Sequence, residues 1–485
     1  MQEAYFVIDI GTGNVRVAVV RPDGEVLGVA RGDIQYHRDE LYPEAIYLQP
    51  HQLWDQLIQL GRDALQQAGQ VFIKAFTATS QREGIVMVGR SGQSLIGLPN
   101  IDHRGREWEN TLPNKSHVYN ITGRYPTSLF SAFKLEGIRQ KRKEIWEELS
   151  FFLSISDWVE YKLSGIPKYE HSQASETLLY DVAAGKWSDE LIALFNIPAQ
   201  YLPPVMASAT VIGPVIQEAA TAWQVTTDAV VITGGGDTQL AIKSTQPALD
   251  DIVIVSGTTT PIVKLVGEYL TDSGERTWTS RDIIKDRFVL EANAGVTGLN
   301  YQRLKEVFYP NEDYTVIEKE LAQNPHRHCA ASLGSLIASE RSPVIKGGFV
   351  FPVPVSHELT RSSFVWATLL DIAFCIAENY KVLQEVAGHQ ASYVWACGGG
   401  LQSRTLRQLI ATILQKNVQV RHGFQQSSAV GGALVCNEAL QIPDQLLNTN
   451  IEVVEPEKDQ VAAIDQVYLQ WQNTRNYFSQ ISTSL

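Results

Sequence analysis

Several short stretches of this chain carry residue types that do chemistry. Gly234-Gly-Gly-Asp237 delivers one carboxylate from a triple-glycine turn after an apolar strand, where α/β sheets place their ligands. A carboxylate there can accept the proton of an attacking hydroxyl, although Asp is also a favoured helix cap and the letters fit that role too. Asp9-Ile-Gly11-Thr12-Gly13-Asn14, with Arg16 two residues on, sets glycines, a hydroxyl and an amide at a turn between apolar runs. Backbone N–H groups in such a turn can approach an anion, and one acidic residue at the strand end can hold a hydrated Mg2+. A glycine-rich hairpin without a ligand explains the same letters. Gly257-Thr258-Thr259 repeats the grammar, and two such turns facing each other could grip a polyphosphate from both sides.

Ser80-Gln-Arg-Glu-Gly84 places Arg82 and Glu83 side by side at a turn, a donor and acceptor pair for a polyhydroxylated ligand or a solvated hairpin. Asp102 and Arg104 form a second polar pair with the same ambiguity. Gly398-Gly-Gly400, followed by Ser403 and Arg404, leaves room for a flat ligand on bare backbone, or makes a tight strand-to-helix turn. His326-Arg-His328-Cys329 lacks a companion ligand pair at zinc spacing and reads as a surface loop. Neither Gly/Thr turn follows the G-x-G-x-x-G dinucleotide pattern, and no glycine-rich turn ends in a Walker A Gly-Lys-Ser/Thr.

The elements that must position these residues are strands and helices in alternation. Apolar runs at 5–10 and 14–20 flank the first turn, a third strand follows near 26–33, and helical spacing around 53–65 leads to a strand at 71–77. The grammar restarts at 251–255 and 261–266, about 245 residues later, which suggests an internal duplication of mixed α/β domains. Helical windows cover 135–149, 157–163, 368–386 and 402–415; strands are expected at 229–233 and 393–396, and a peripheral helix after Pro456. The spacing predicts a boundary near 240–250, giving domains over 1–245 and 246–485.

Composition narrows the class. The chain has 485 residues, 44% of them apolar and 19% charged, an ordinary globular mixture with ample material for a core. Its 40 Lys+Arg against 53 Asp+Glu give a formal charge of −13, which argues against nucleic acid as the partner. Four cysteines without CxxC spacing fit a reducing cytoplasm. No basic leader precedes the first strand and no uncharged apolar run reaches 18 residues, so neither secretion nor a membrane span is expected.

Taken in order, these motifs resemble those of the FGGY carbohydrate kinases, over essentially the whole chain from Asp9 to about Leu440. The resemblance rests on Asp9–Arg16, Ser80–Glu83, Asp157-Trp158 with Leu163-Ser-Gly165, Ser172–Asp181 with Trp187, Gly236-Asp237, Gly257-Thr258 and Gly398–Gly400. It implies an α/β fold of two actin/hexokinase-like (ribonuclease H-like) domains with a cleft between them. It also implies ATP- and Mg2+-dependent phosphorylation of a sugar or polyol hydroxyl. In that reading Asp237 is the general base, and Arg82, Glu83, Gln239 and Asp102 join it in holding the sugar. Gly11, Thr12, Gly13, Asn14, Arg16, Gly257, Thr258, Gly398, Gly399, Gly400 and Ser403 hold the nucleotide, and Asp9 with Asp237 serves the metal. Partners are a small carbohydrate and ATP in the cytoplasm, with a homodimer as the oligomer to test.

Within the family, Arg82-Glu83-Gly-Ile85, Ser156-Asp-Trp158 with Tyr161, and Gly234–Asp237 with Gln239-Leu240 are most similar to the autoinducer-2 kinases, which act on dihydroxypentanedione. Pentulose kinases of the xylulokinase type come next. There are departures. Leu129 stands where glycerol kinases carry a Tyr, Lys134-Leu-Glu-Gly137 lacks the family's Trp, and Gln425 or Gln426 replaces an acidic residue near the nucleotide segment. The last departure supports an alternative: a catalytically weakened homologue that binds sugar or nucleotide as a regulator.

Overall fold

The computed structural model describes residues 2–323, 328–340, 342–443 and 450–483. Its frame is two sheets. The first is built from β1 (Gln2–Ile10), β2 (Asn14–Val20), β3 (Val26–Asp33), β4 (Val71–Ser80), β5 (Val211–Pro214) and β6 (Val230–Gly236), in the order β5-β6-β4-β1-β2-β3. The second is built from β7 (Ile252–Val255), β8 (Pro261–Val266), β9 (Trp278–Arg281), β10 (Phe288–Asn293), β11 (Tyr393–Cys397), β12 (Asn417–Arg421) and β13 (Ile451–Val454), in the order β9-β10-β8-β7-β11-β12-β13.

The two sheets share a plan. β1, β2 and β3 form an antiparallel meander, and β4 then β6 add parallel strands on the other side of β1. Likewise β7, β8 and β10 form a meander, and β11 and β12 add in parallel beside β7. The hairpins that carry the two Gly/Thr turns therefore occupy equivalent places, as the repeated strand grammar of the sequence suggested. β1 is buried along Ala4–Ile8, as a strand covered on both faces requires. Of its two acidic residues, Glu3 is exposed at the start and Asp9 sits near the carboxyl end, registered against Arg16 and Thr79.

Helices cover the sheets. The helix α1 (Pro50–Ala68) starts with Pro at its first position and buries Leu53, Leu57, Leu60 and Ala64 at helical spacing. Next come α2 (Ile155–Ser164), α3 (Asp237–Thr245), α4 (Gly298–Phe308), α5 (Arg361–Ala387), α6 (Arg404–Leu414) and α7 (Ser427–Ala439). α5 begins well before the expected 368 because Thr360 and Ser363 close a capping box there. The window expected at 135–149 splits into Ser131–Lys141 and Lys143–Glu148, broken at Arg142 where φ is −127° and ψ is 60°.

Packing does not follow the chain division near 245. Ala241 and Ile242 of α3 pack into the second sheet with Val253, Val263 and Trp395. Ala429 and Ala433 of α7 pack into the first with Tyr5, Val7 and Ile232. The two helices touch backbone to backbone: a Cβ on Gly431 would stand 1.9 Å from the Leu240 carbonyl, so only glycine permits the crossing.

Among the described residues no helix is long and apolar enough to cross a membrane. All four cysteines are free and buried. His326 lies outside the described residues. His328 faces Glu358 with its Nε2 2.9 Å from the carboxylate. No cluster of three or more His, Cys, Asp or Glu side chains suited to a metal occurs among the described residues.

Candidate active site

A cavity of about 550 Å3 opens between the sheets. It collects Asp9, Gly11, Thr12, Asn14, Arg16, Arg82, Glu83, Asp237, Gly257, Thr258 and all three glycines 398–400. Motifs spread over nearly 400 positions thus converge on one space.

The carboxylate at its centre is delivered by a break in the first sheet. Pairing between β6 and β4 shifts register between Ile232 and Gly235, and a shift of this kind leaves a backbone amide without its ladder partner. The Gly234 amide donates instead to Glu160 Oε1 at 2.8 Å, and the same oxygen accepts the Ala78 amide at 3.0 Å. Glu160 and Asp157, both on α2, share the buried ammonium of Lys168. The next amides are held too: Gly236 N–H donates to Ser172 Oγ at 3.0 Å, and the Gly235 carbonyl accepts from Thr79 Oγ1 at 2.8 Å. The middle segment of the chain, whose role composition does not reveal, is the bracket that fixes Asp237.

Asp237 is the first residue of α3, and Gly236 rather than Asp237 occupies the N-cap position. Its Oδ1 accepts the Thr238 amide at 2.7 Å and the Thr238 hydroxyl at 3.3 Å; Oδ2 has no partner among the described residues. Burial pushes its pKa up to about 6, the Arg82 guanidinium opposing and the Asp9 carboxylate adding to the rise. A base titrating there is ionised at neutral pH and still able to take a proton.

Both Gly/Thr turns expose donors. Gly11 N–H bonds the Asn14 carbonyl and Gly257 N–H the Thr259 carbonyl, each at 2.9 Å. The amides of Thr12, Gly13, Thr258 and Thr259 have no acceptor among the described residues, an arrangement suited to an anion. The first turn is braced by side chains that sequence reasoning missed. Gln81 Nε2 donates to the Gly11 carbonyl at 3.1 Å, Tyr36 OH to the Thr12 carbonyl at 2.7 Å, and Asn100 Nδ2 to Thr12 Oγ1 at 2.9 Å. Gly13 itself is outside the cavity lining, its carbonyl accepting the Ile34 amide at 3.2 Å.

The second half reaches across to this turn. Ser428 Oγ donates to Asp9 Oδ2 at 2.5 Å, and Arg16 Nη1 donates to Gln426 Oε1 at 3.1 Å. Of the two glutamines at the departure, Gln425 and Gln426, the second is therefore the partner of Arg16, and Arg16 also lies 3.9 Å from Asp9. Of the three glycines 398–400, two serve packing. Gly398, at φ +100°, would drive a Cβ to 2.3 Å from the Ser256 carbonyl, and Gly400 N–H donates to that carbonyl at 2.8 Å. Gly399 alone is uncrowded, a Cβ there meeting nothing nearer than Gln402 Nε2 at 3.8 Å. The same cavity is lined by Tyr301 and Tyr314, whose rings are 5.8 Å apart. Neither tyrosine stands in a glycine turn or polar cluster, so no sequence signal marked them.

Arg82 differs most from expectation. Its Nη1 and Nη2 both donate to the carboxylate of Glu291 on β10, at 2.5 and 3.0 Å, and Nη1 is 3.8 Å from Glu176. Glu176 in turn takes two bonds from the buried Arg124. Glu83 sits in the left-handed region at φ 63°. Its carboxyl is pushed upward by burial and by Glu176, while burial pushes the Lys134 ammonium down.

Besides Gly13, three more expected site residues stand apart from the lining. Asp102 is fully buried, with Oδ1 taking the Ile46 amide at 3.0 Å and Oδ2 taking Arg104 Nε at 2.7 Å, so it holds the loop together from inside. Ser403 caps α6, accepting the Leu406 amide at 3.1 Å and donating to Glu318 at 2.6 Å. Gln239 points inward to Ser280 at 3.2 Å.

The FGGY family of carbohydrate kinases matches this chain twice, its N-terminal domain over residues 4–243 and its C-terminal domain over residues 321–440. The chain belongs to this family. Like other FGGY kinases it is a phosphotransferase that uses an alcohol group as acceptor. It is 47% identical over 481 residues to YoaC of Bacillus subtilis (strain 168), which carries the name of a sugar kinase, covering 99% of this chain and 98% of that one. It is 26% identical over 487 residues to autoinducer-2 kinase of Escherichia coli (strain K12), covering 93% and 89%. The ligand-bound xylulose kinase of Lactobacillus acidophilus superposes with a TM-score of 0.83 at 18% identity, over 98% of each chain, which shows the shared two-domain fold.

Proposed function

We propose that the protein transfers the γ-phosphate of ATP to a hydroxyl of a small sugar or sugar-like polyol, of the pentulose or dihydroxypentanedione type. The observation that carries this reading is the meeting of two donor-bearing turns, one from each half, in one cavity with the buried carboxylate of Asp237. The free amides of Thr12, Thr258 and Thr259, which line the cavity, hold the phosphates by fixed dipoles. Gly399, with Tyr301 and Tyr314, receives the adenosine. Asp237 takes the proton of the acceptor hydroxyl as its oxygen forms the new bond to phosphorus and the bond to the ADP oxygen breaks. Arg82 and Glu83 border the acceptor.

The donor set also fits Mg2+. That ion uses one or two carboxylates with phosphates and retained waters, and Asp9 and Asp237 lie close enough that one raises the other's pKa. When bound, the ion neutralises charge on the phosphates. The chain's own part is to hold Asp9, through Ser428, and to close both halves around the acceptor so that water is excluded.

The dihydroxypentanedione type draws support from the autoinducer-2 kinase relative, and the pentulose type from the xylulose kinase fold. The regulatory alternative loses its main support, since Gln426 holds Arg16 in place. The test is ADP release with Mg2+ and a panel of pentuloses, hexuloses, polyols and dihydroxypentanedione. Release that depends on one acceptor is the expected result; ADP formation indifferent to every acceptor defeats the proposal.

A further inference from the structure

The Arg82–Glu291 pair bears on which acceptors the site takes, and the argument rests on the kinase reading above. Arg82 lines the cavity beside the base: its Cγ packs 3.5 Å from the position a Cβ would take on Gly236, the residue before Asp237. A guanidinium so placed would ordinarily be an anion receptor, because its fork matches a carboxylate. Here the fork is already full. Both terminal nitrogens end on Glu291, a residue 1% exposed that comes from the other half of the molecule, and Glu291 Oε1 also accepts Asn293 Nδ2 at 2.8 Å. Of the three guanidinium nitrogens only Arg82 Nε has no acceptor among the described residues, so the N–H groups left over can serve single hydroxyl oxygens while the pair that would grip a carboxylate is taken.

The surrounding cations are already matched without a ligand, and Asp237 adds a further anion. Arg82 and Arg124 face Glu176 and Glu291, and Lys134 and Glu83 are the remaining pair of opposite sign near them. An acceptor carrying its own carboxylate would add an uncompensated anion beside Glu291, Glu176 and Asp237, and a buried unpaired charge is strongly unfavourable. An uncharged polyol adds none.

We propose that Glu291 is a specificity-determining residue: by occupying the Arg82 fork from across the cleft, it restricts the site to uncharged sugars and polyols and turns away sugar acids. Glu291 acts through Arg82, so it is a positioning residue.

The test compares the full-length wild type with Glu291→Gln and Glu291→Asp, using ketopentoses and pentitols as neutral acceptors and D-gluconate and D-xylonate as acids. ADP release gives kcat/KM, and calorimetric binding gives affinity without turnover. The wild type is expected to favour its best neutral acceptor over its best acid by at least about 100-fold, consistent with one buried unpaired charge. E291Q removes one neighbouring anion and frees the Arg82 fork, and is expected to move the acid-to-neutral ratio toward the acid by at least about 10-fold; E291D, which keeps the charge, holds the wild-type ratio. A merely structural role would weaken both acceptors together and leave the ratio unchanged, which overturns the proposal. So does a wild type that prefers an acid, a result that needs no variant to fold. Absence of turnover with every acceptor would count against the kinase reading, while the calorimetric ratio would still decide the role of Glu291.

Discussion

Replacing Asp237 by Asn separates the chemical role of this carboxylate from any structural one, because the two predict opposite signs for stability. Burial raises the carboxyl from the ordinary aspartate range to about 6 in the folded protein. A raised acid favours the protonated form on folding. Its unfavourable contribution is absent below the unfolded pKa, grows as pH rises toward 6, and is complete above 6. The gap between about 4 and about 6 corresponds to at most about 3 kcal/mol, reduced toward about 1 where the cavity admits water. Asn keeps an oxygen for the Thr238 amide and carries no charge, so D237N is expected to be about 1–3 kcal/mol more stable than wild type at pH 8, the gain shrinking toward pH 4. Over the same change, turnover is expected to fall about 10²–10⁴-fold, the range for loss of a positioned base. Urea unfolding at several pH values and acceptor-dependent ADP release measure the two effects on one preparation. Normal turnover in D237N refutes the assignment as base. A variant less stable at pH 8 shows that the carboxylate is a structural anchor and that the burial argument is wrong.

Other outcomes follow from neighbouring residues. For the wild type, kcat/KM is expected to fall with unit slope below about pH 6 and to reach about a tenth of its plateau near pH 5, as Asp237 takes up its proton; a profile flat to pH 5 would assign the base elsewhere. Gln426→Ala removes the acceptor for Arg16 and is expected to raise KM for ATP about 3- to 10-fold with the acceptor KM unchanged. Equal rises in both would place Gln426 in lobe closure instead. Lys168→Met strips the cation from buried Asp157 and Glu160 and is expected to cost about 3–5 kcal/mol in urea unfolding. A loss under about 1 kcal/mol would mean that the two acids are neutral in the folded state and that their ion pairs matter little.

What was readable in the sequence was local. The Gly/Thr turns, the triple glycines and the strand that carries Asp9 announce themselves because backbone conformation and burial on both faces restrict residue type within a few positions. The repeat in strand grammar was readable for the same reason, and both sheets follow it. What stayed hidden depends on contacts between distant residues. Asp9 meets Ser428 and Arg16 meets Gln426, separated by 419 and 410 positions. Arg82 looked like a free donor because its partner lies 209 residues on. Asp102 and Arg104 do form the pair their proximity suggested, but the loop turns them inward, and which way a loop faces is not written in two adjacent letters. Asp237 stood between cap and base on sequence alone, and the cap position falls to Gly236.

The exchange of α3 and α7 between the sheets makes the two halves interlocked in construction as well as repeated in plan. A gene cut between codons 245 and 246 would yield two fragments, each lacking the helix that covers part of its core: the first would bare the face where Ala429 and Ala433 rest, the second the face where Ala241 and Ile242 rest. Such fragments are expected to be insoluble when made singly and to regain a common fold only when made together, an obligate partnership written into one polypeptide. Two soluble, separately cooperative halves would show that the crossing helices merely touch.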